Sequence, residues 1–427
     1  MRLRLLAALG LPALIFVACE TGATNEPGGS DAAAGSGGAA GSGSGGASAQ
    51  GGSGGGTGAG GTTGAGGGAA GATGSGGHGG SGAAGAGGGA GSGGSTGSGG
   101  TAGGAGGATG SGGGGGTSST TTSGLPLPPG AANVAQPAGT PGNITVLNWA
   151  GFKGAVSYTF DDDNDSQIAN YSQLNGLGVP LTFYMWTGRT EATNSVWATA
   201  VADGHEIGNH TQSHTSNGTT ADIQAATTFI MQHLGVTPWT MAAPNGAAVY
   251  TTLANGLFLI NRGVADNLIA PSDNTDRFTL PCYIPPTGAT ASMFNAEVDS
   301  AQSAGRWRVI LVHGFTGGND SAFQPVPLNE FISGVQHTIS LGNMWIGRVV
   351  DVASYWLGQK AFSQATTTMS GSNKTWTWTL PSKFPTGKFL RVTVPGGTVT
   401  QNGTALPWNS HGFYEIALDA GSVTVGP

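Results

Sequence analysis

The chain has 427 residues, of which 83 are glycine and only 8% are charged, so a domain count from length alone cannot be taken at face value. All 10 tryptophans lie at or beyond Trp149, which leaves about 280 residues for a packed core. The formal net charge is −7, and no Lys/Arg cluster is present. These features exclude a nucleic-acid-binding protein, because nothing in the chain would neutralise a row of phosphates.

The first 19 residues have the pattern of an export signal, with two arginines, an apolar run and small residues before a cysteine. The apolar run is too short for a membrane-spanning helix. Residues Phe16–Cys19 resemble a bacterial lipobox, which implies cleavage before Cys19 and a lipid anchor on it, at the cell surface or in the periplasm. The alternative is an ordinary signal peptide. With Cys19 lipidated, Cys282 is left alone, and we expect a buried, inert thiol there.

Residues 20–141 are predicted to form a long disordered linker. No Asp, Glu, Lys or Arg occurs between Asp31 and Lys153, and Gly, Ala, Ser and Thr dominate as far as Ser123. Such a tract buries too little apolar surface to offset its backbone entropy. The proline-containing part from Leu125 to Pro141 is expected to be stiffer, and either to lie along the folded part or to form its hinge.

Strand-like and helix-like patterns alternate from Asn143 onwards. The clearest strand pattern is Arg308–His313, which is almost wholly apolar and is therefore expected to be buried on both faces of a parallel sheet. The predicted strands are residues 154–160, 179–185, 205–210 (strand or turn) and 308–313, and the predicted helices are residues 195–203, 222–234, 330–341 and 349–357. This alternation predicts an α/β layer or barrel over residues 142–360.

After about Ala361 the apolar residues recur with period two, in residues 374–380, 389–394, 397–400, 414–418 and 421–425. This period predicts a small antiparallel, β-sandwich-like module over residues 361–427. Trp376 and Trp378 could stack on sugar rings. Because they alternate with threonines on one face of a strand, packing against the main domain is the favoured interpretation.

Residues suited to metal binding and proton transfer follow the predicted strands. Asp161 and Asp162 come at the end of the first strand, where a mixed environment can make one a base and the other a ligand. His210 and His214 are four residues apart, which predicts that they lie on one side of a helical turn, as zinc ligands often do. His313 ends the strongest strand. Since parallel sheets collect reactive residues at their carboxyl ends, these side chains are predicted to share one site.

Three segments resemble, in order and spacing, the motifs of the polysaccharide deacetylase family with the NodB homology domain, which is carbohydrate esterase family 4. The segments are Ser157–Asp162, Gly204–His214 and Ile310–His313, and the resemblance extends over about Ile144–Leu357. It implies a deformed (β/α) barrel, followed here by the β module. It also implies a metal-dependent hydrolase that removes N- or O-linked acetyl groups from a polysaccharide.

The resemblance further implies which residues hold the metal. By position these are Asp162, His210 and His214, with Zn²⁺ as the expected ion and Co²⁺ or another divalent ion as the alternative. Open positions on the metal would then be left for water and for the acetyl carbonyl oxygen.

Four other residues receive roles from the same resemblance. Asp161 would be the general base that takes the proton of the attacking water, and His313 would give a proton to the leaving group. The backbone N–H of Asn245 would stabilise the oxyanion, and Leu311 would line the acetyl pocket.

The sequence departs from the family pattern at several positions. Ala242 stands where the family usually has an arginine that steadies the base, so Arg262 or another residue would have to supply that contact. Asp163 stands where the family usually has glycine, which leaves the choice of ligand open by one position. Asp266 is the best candidate for the acid of the family's fourth motif.

Two alternatives stay open. The alanine at 242 is compatible with a non-catalytic carbohydrate-binding lipoprotein on the same fold, which would bind sugar without releasing acetate. The same site could also hydrolyse a non-carbohydrate ester or amide. We expect a monomer whose partner is an acetylated glycan, and the sequence does not choose between N-acetyl and O-acetyl substrates.

Overall fold

The structure is a computed structural model that describes residues 123–427. The predicted signal, Cys19 and most of the predicted linker lie outside the described residues. The described part falls within one compact unit. Among these residues, no helix combines the length and the apolar character needed to cross a membrane.

Strands and helices alternate through the first part of the described chain. After β1 (Thr145–Val146), the strands are β2 (Gly154–Asp161), β3 (Thr182–Met185), β4 (Glu206–Asn209), β5 (Thr240–Ala242), β6 (Ile260–Arg262), β7 (Trp307–Val312) and β8 (Met344–Ile346). The helices are α1 (Asp165–Ala169), α2 (Tyr171–Asn175), α3 (Val196–Ala202), α4 (Thr220–Leu234), α5 (Val249–Leu253), α6 (Ala291–Ala304), α7 (Leu328–Leu341) and α8 (Val349–Ser363).

Strands β2 to β8 form one parallel sheet in the order β6-β5-β4-β3-β2-β7, and β8 pairs with the first residues of β2. The segment 280–283 connects the two ends of this sheet. Leu280 N–H donates to Asn261 O on β6, and Tyr283 N–H donates to Val309 O on β7. The strands therefore close into a deformed (β/α) barrel, as expected from the sequence.

The central strand β2 directs alternate side chains to two sides of the sheet. Tyr158 and Phe160 pack with residues of α6 and α7 on the helix-covered side. Ala155 packs with Leu311 and with large tryptophans on the inner side. All eight residues of β2 are buried. Because side chains alternate along a strand, Asp161 has the same orientation as Ala155 and points to the inner side at the carboxyl end.

The C-terminal module consists of two antiparallel sheets, of which one has the order β1-β11-β14 and the other β13-β12-β15-β10-β9. Its strands are β9 (Thr366–Ser370), β10 (Asn373–Thr377), β11 (Phe389–Thr393), β12 (Thr398–Gln401), β13 (Thr404–Ala405), β14 (Tyr414–Ala417) and β15 (Ser422–Gly426). Trp376 and Trp378 are only 7% and 6% exposed. Both belong to a core cluster that includes residues of α8, and the Trp378 ring centroid lies 5.5 Å from that of Phe362, so the prediction that they pack against the main domain is confirmed.

The chain before the barrel also contacts this module. Strand β1 pairs antiparallel with β11. Further upstream, Arg391 Nη1 donates to Pro126 O at 2.7 Å, and Val134 N–H donates to Ser410 O at 2.8 Å. The proline-containing end of the predicted linker thus lies along the folded part.

Candidate metal centre and active site

The chemistry-bearing residues meet at the carboxyl end of the parallel sheet. Asp161 is the last residue of β2, His210 directly follows β4, and His313 directly follows β7. Parallel strands end at a common edge, so residues far apart in sequence converge there.

Asp162, His210 and His214 bring three potential ligand atoms together. Nε2 of His214 lies 3.1 Å from Nε2 of His210. Oδ1 of Asp162 lies 3.4 Å from Nε2 of His210 and 3.2 Å from Nε2 of His214. A tetrahedral shell with bonds of about 2.0–2.1 Å separates its ligands by about 3.3–3.4 Å. The observed spacing therefore fits a tetrahedral metal centre with one carboxylate and two imidazoles.

Two further observations support this fit. Nδ1 of His210 lies 2.9 Å from Ala242 O, and since a carbonyl only accepts, Nδ1 carries the proton and leaves the Nε2 lone pair for a metal. Oδ1 of Asp162 is buried, and its contacts with the two imidazoles lack hydrogen-bond geometry. Three acceptor atoms facing one point are stabilised by a cation, and the N₂O donor set suits Zn²⁺ or Co²⁺.

The segment between the two histidines is a loop, so the predicted helical turn is wrong. Thr211 and His214 have left-handed φ values of 64° and 50°, which end the strand and turn both rings to the same point. The Asn209 side chain fixes this loop: its Oδ1 accepts from Thr211 N–H at 2.8 Å, and its Nδ2 donates to Ile223 O on α4 at 3.0 Å.

Trp186, which follows β3, holds the second histidine from the side. Its ring stacks on the imidazole of His214, with centroids 4.5 Å apart and planes inclined by 28°. Its Nε1 donates to Gln212 O at 2.9 Å. This tryptophan was not identified from the sequence, because a single aromatic residue after a strand carries no signal of such a contact.

The run of three aspartates is divided among different tasks. Asp162 and Asp163 have φ values of 75° and 44°, a region that favours glycine and explains why glycine suits position 163. Oδ1 of Asp163 accepts from Trp186 N–H at 2.7 Å, so Asp163 supports the loop, and Asp162 is the carboxylate of the ligand cluster. Burial raises the pKa of Asp163 to about 7. Burial also favours protonated Asp162, but His210 and His214 outweigh it and lower the pKa of Asp162.

Asp161 forms a buried ion pair with Arg262, which takes the place of the missing arginine at position 242. Nη2 of Arg262 donates to Oδ2 of Asp161, and the two side chains are 1% and 3% exposed. Oδ1 of Asp161 is buried and has no hydrogen-bond partner among residues 123–427. One oxygen of the carboxylate is thus anchored, and the other is free to accept a proton.

The register of the sheet explains how Arg262 replaces the usual arginine. Ala242 on β5 and Arg262 on β6 are direct partners across the two strands, and neighbouring strands lie about 4.8 Å apart. The guanidinium therefore starts one strand further from Asp161 and still reaches it. The prediction that Arg262 could supply this contact is confirmed by the ion pair.

Asp266 binds a buried arginine, and its assignment as the acid of the fourth motif stays a prediction. Oδ1 of Asp266 accepts from Nη1 of Arg308 at 2.6 Å, and Arg308 Nη2 also pairs with Glu297. Arg308 is 5% exposed, so its buried charge binds both carboxylates. Nδ1 of His313 is buried and lacks a hydrogen-bond partner among the described residues.

The remaining predicted residues occupy the same region or its core. Asn245 has a φ of 55°, and its Nδ2 donates to His214 O at 3.4 Å, which places it beside the ligand loop. Leu311 is 1% exposed on β7, two residues before His313. Its role in an acetyl pocket stays a prediction. Cys282 is fully buried, and burial raises its pKa to about 11, as expected for an inert thiol.

Comparison with known proteins agrees with these features. Residues 151–257 match the sequence model of the family described as polysaccharide deacetylase. The chain contains a polysaccharide deacetylase domain. The matched range includes Asp161, Asp162, His210 and His214, whereas Arg262 and His313 lie beyond it.

A curated relative of the chain is a gellan lyase from Bacillus sp, which is 27% identical over 249 residues. The match covers 50% of this chain but only 10% of that relative. The chain thus spans about a tenth of the length of the curated protein it matches.

Among solved structures, the deacetylase domain is similar to three proteins at low identity. A family 4 acetyl xylan esterase from Clostridium thermocellum, in complex with a cobalt ion, is 20% identical, with 46% of this chain and 89% of that chain covered and a TM-score of 0.31. The peptidoglycan deacetylase PdaC from Bacillus subtilis is 18% identical, with the same coverage of 46% and 89% and a TM-score of 0.31. The Xyl-CE4 domain of a multidomain xylanase from the hindgut metagenome of Trinervitermes trinervoides is 16% identical, with 46% and 88% covered and a TM-score of 0.33.

Proposed function

We propose that this protein is a metal-dependent hydrolase that removes acetyl groups from a polysaccharide. The observation that carries the proposal is the spacing of 3.1–3.4 Å among the ligand atoms of Asp162, His210 and His214. This cluster lies beside the anchored carboxylate of Asp161, within a polysaccharide deacetylase domain. A metal site next to a base is the arrangement that water attack on an acetyl group needs.

Asp162, His210 and His214 would hold a divalent ion, for which Zn²⁺ fits the donor set. Such an ion, when bound, lowers the pKa of a coordinated water and shares the negative charge that develops on the acetyl oxygen. The N–H of Asn245 would donate a hydrogen bond to the same oxygen.

The chain's own residues divide the proton transfers between them. Arg262 holds Oδ2 of Asp161, so Oδ1 is the atom that takes the proton of the attacking water. Water oxygen bonds to the acetyl carbon, and the bond from that carbon to the sugar oxygen or nitrogen then breaks. His313 would give a proton to the leaving atom, and the products are acetate and the deacetylated sugar.

The buried Arg262–Asp161 pair bears on the alternative of a non-catalytic sugar-binding protein. That alternative was motivated by alanine at position 242, which removes the usual partner of the base. Since Arg262 supplies the contact from the neighbouring strand, the catalytic interpretation is favoured.

The place of action is also a proposal. Lipidation of Cys19 would anchor the protein to a membrane, with the deacetylase domain facing the cell surface or the periplasm. Cys19 lies outside the described residues, so this part rests on the lipobox-like sequence alone.

The proposed function is tested by replacing each ligand residue with alanine in the full chain. The variants Asp162→Ala, His210→Ala and His214→Ala should lose bound Zn²⁺ and acetate release together, because three ligands are the minimum for a catalytic zinc site. The measurements are zinc content per protein and acetate released from acetylxylan and chitin oligomers. Acetate release that survives all three replacements would contradict the proposal.

A further inference from the structure

One aromatic side chain among residues 123–427 lies mostly in solvent. Phe323 is 58% exposed, whereas every other Phe, Tyr and Trp in that range is buried or half-buried. Single exposed apolar side chains are common on protein surfaces, so exposure alone does not indicate a function. The significance of this ring therefore depends on what lies beside it.

The ring of Phe323 lies against a residue of the candidate site. Its centroid is 5.2 Å from that of the His313 imidazole, and the two ring planes are inclined by 83°. His313 is the residue proposed to give a proton to the leaving atom, and a proton donor lies about 2.6–3.2 Å from the atom that it protonates. The leaving atom is bonded directly to a sugar ring. A glycan bound for reaction therefore brings a sugar ring close to the exposed part of Phe323.

The loop that carries Phe323 is held on both sides of this residue. It connects β7 to α7, and at its base Thr316 N–H donates to Val326 O at 3.0 Å. Three residues before Phe323, Oδ2 of Asp320 accepts from Ser166 N–H in α1 at 2.6 Å. Phe323 thus lies between two fixed points of the chain, and its ring is exposed on a well-anchored loop.

Two local features constrain the backbone next to the ring. Gln324 has a left-handed φ of 46°, a conformation that few residues other than glycine adopt, and it turns the chain directly after Phe323. On the other side, Ala322 packs so closely on Gly314 that a Cβ at position 314 would lie 2.6 Å from the Cβ of Ala322. A contact between Phe323 and substrate therefore requires little further ordering of the backbone.

We propose that Phe323 is a substrate-binding residue whose exposed ring packs against a sugar ring of the glycan. The inference rests on the proposed function, which places the sugar beside His313, and adds to it a residue for glycan recognition. Sugar rings carry C–H groups on their faces, and packing these groups on an aromatic ring removes apolar surface of both partners from water. The Phe323 side chain has no polar atom, so this contact supplies affinity and takes no part in the bond changes.

The experiment compares the full-length wild type with Phe323→Ala and Phe323→Tyr. Acetate release from acetylxylan and from chitin oligomers gives kcat and KM in the Zn²⁺-loaded chain. Calorimetric titration with the same two glycans gives Kd in the chelator-stripped chain. On the glycan that the wild type cleaves, Phe323→Ala should raise KM and Kd by about tenfold, the size of one aromatic contact. The value of kcat should stay within about twofold, because the lost contact is equal in ground state and transition state.

Two further variants of this comparison show whether the effect belongs to the ring at this place. Phe323→Tyr keeps an aromatic ring and should keep KM and Kd within about threefold of the wild type. Met369→Ala is the matched control for loss of an exposed apolar side chain, because Met369 is 64% exposed on β9 in the C-terminal module. It should leave kcat, KM and Kd unchanged.

The outcomes separate this inference from the proposed function. A KM and a Kd of Phe323→Ala within about twofold of the wild type would overturn the inference. A fall in kcat with an unchanged Kd would overturn it as well, because it would show that Phe323 only supports the ring of His313. Absence of acetate from both glycans in the Zn²⁺-loaded wild type would overturn the proposed function, and the Kd values would still decide whether Phe323 binds the glycan.

Discussion

Replacement of Arg262 by alanine should lower both stability and catalytic rate. The Arg262 and Asp161 side chains are 1% and 3% exposed, so the variant leaves a buried carboxylate without its opposite charge. Loss of one partner from such a pair costs about 3–5 kcal/mol in the free energy of unfolding. A cation in the neighbouring site would offset part of this cost. The full effect is therefore expected in the metal-free chain, measured by urea unfolding with tryptophan fluorescence.

The same replacement should reduce kcat/KM for acetate release by about 100-fold, at the lower end of what a positioned base contributes. Arg262 anchors only Oδ2 of Asp161, so its loss lets the carboxylate rotate away from the water. Arg277→Ala is a matched control, because Arg277 donates to Leu259 O at 3.0 Å and to Ser382, away from the site. It should leave the rate unchanged.

Arginine placed back at position 242 gives the sharper test. Ala242 and Arg262 are register partners on neighbouring strands, so the double variant Arg262→Ala, Ala242→Arg should restore the ion pair and recover part of both losses. The reasoning would be refuted if Arg262→Ala unfolded within about 1 kcal/mol of the wild type and kept its rate within about threefold.

Three further predictions concern the scaffold. His205 accepts from Leu181 N–H through Nδ1, and burial lowers the pKa of His205 to about 4. The free energy of unfolding should therefore be full above pH 6.5 and should fall between pH 6.5 and 4, by up to about 1.4 kcal/mol per pH unit. His205→Asn should flatten this dependence on pH in urea titrations, and an unchanged dependence would refute the assignment to His205. Gly208→Ala should cost about 1–3 kcal/mol in the same assay because the new Cβ would overlap the Tyr184 ring, and a neutral result would contradict the packing of β4 on β3. Trp378→Ala should cost about 3–5 kcal/mol without weakening binding to acetylxylan, whereas lost glycan binding in a stable variant would show a sugar-stacking role.

The elements with strong patterns could be predicted from the sequence. The continuous apolar run at residues 308–313 is β7, and the helix pattern at residues 222–234 is α4, which ends at Gly235 with a φ of 69°. Helix α6 was missed because its buried stripe has only three residues, Phe294, Val298 and Ala301, and alanine contrasts weakly with polar residues. Strand β9 was also missed, since all five of its residues are exposed and therefore show no alternation.

The ligand residues of the candidate site could be predicted because the order and spacing of the motifs identify them. Their geometry could not, since the convergence of His210 and His214 depends on left-handed residues in a loop, at positions where glycine or asparagine would normally signal such a turn. The choice of Arg262 over other residues depends on strand register, and the pairing of Arg308 with Asp266 joins residues 42 positions apart in sequence. Register is a long-range property that no local pattern of this sequence fixes.

The measurement that tests the central claim most directly is the return of activity on addition of metal. The full chain is stripped with a chelator, then given Zn²⁺, and acetate released from acetylxylan is followed beside the same treatment of His210→Ala. We expect no acetate from the stripped wild type, restored release after Zn²⁺, and none from the variant at any stage. Undiminished acetate release by the stripped wild type, or its failure to release acetate with Zn²⁺ bound, would contradict the account.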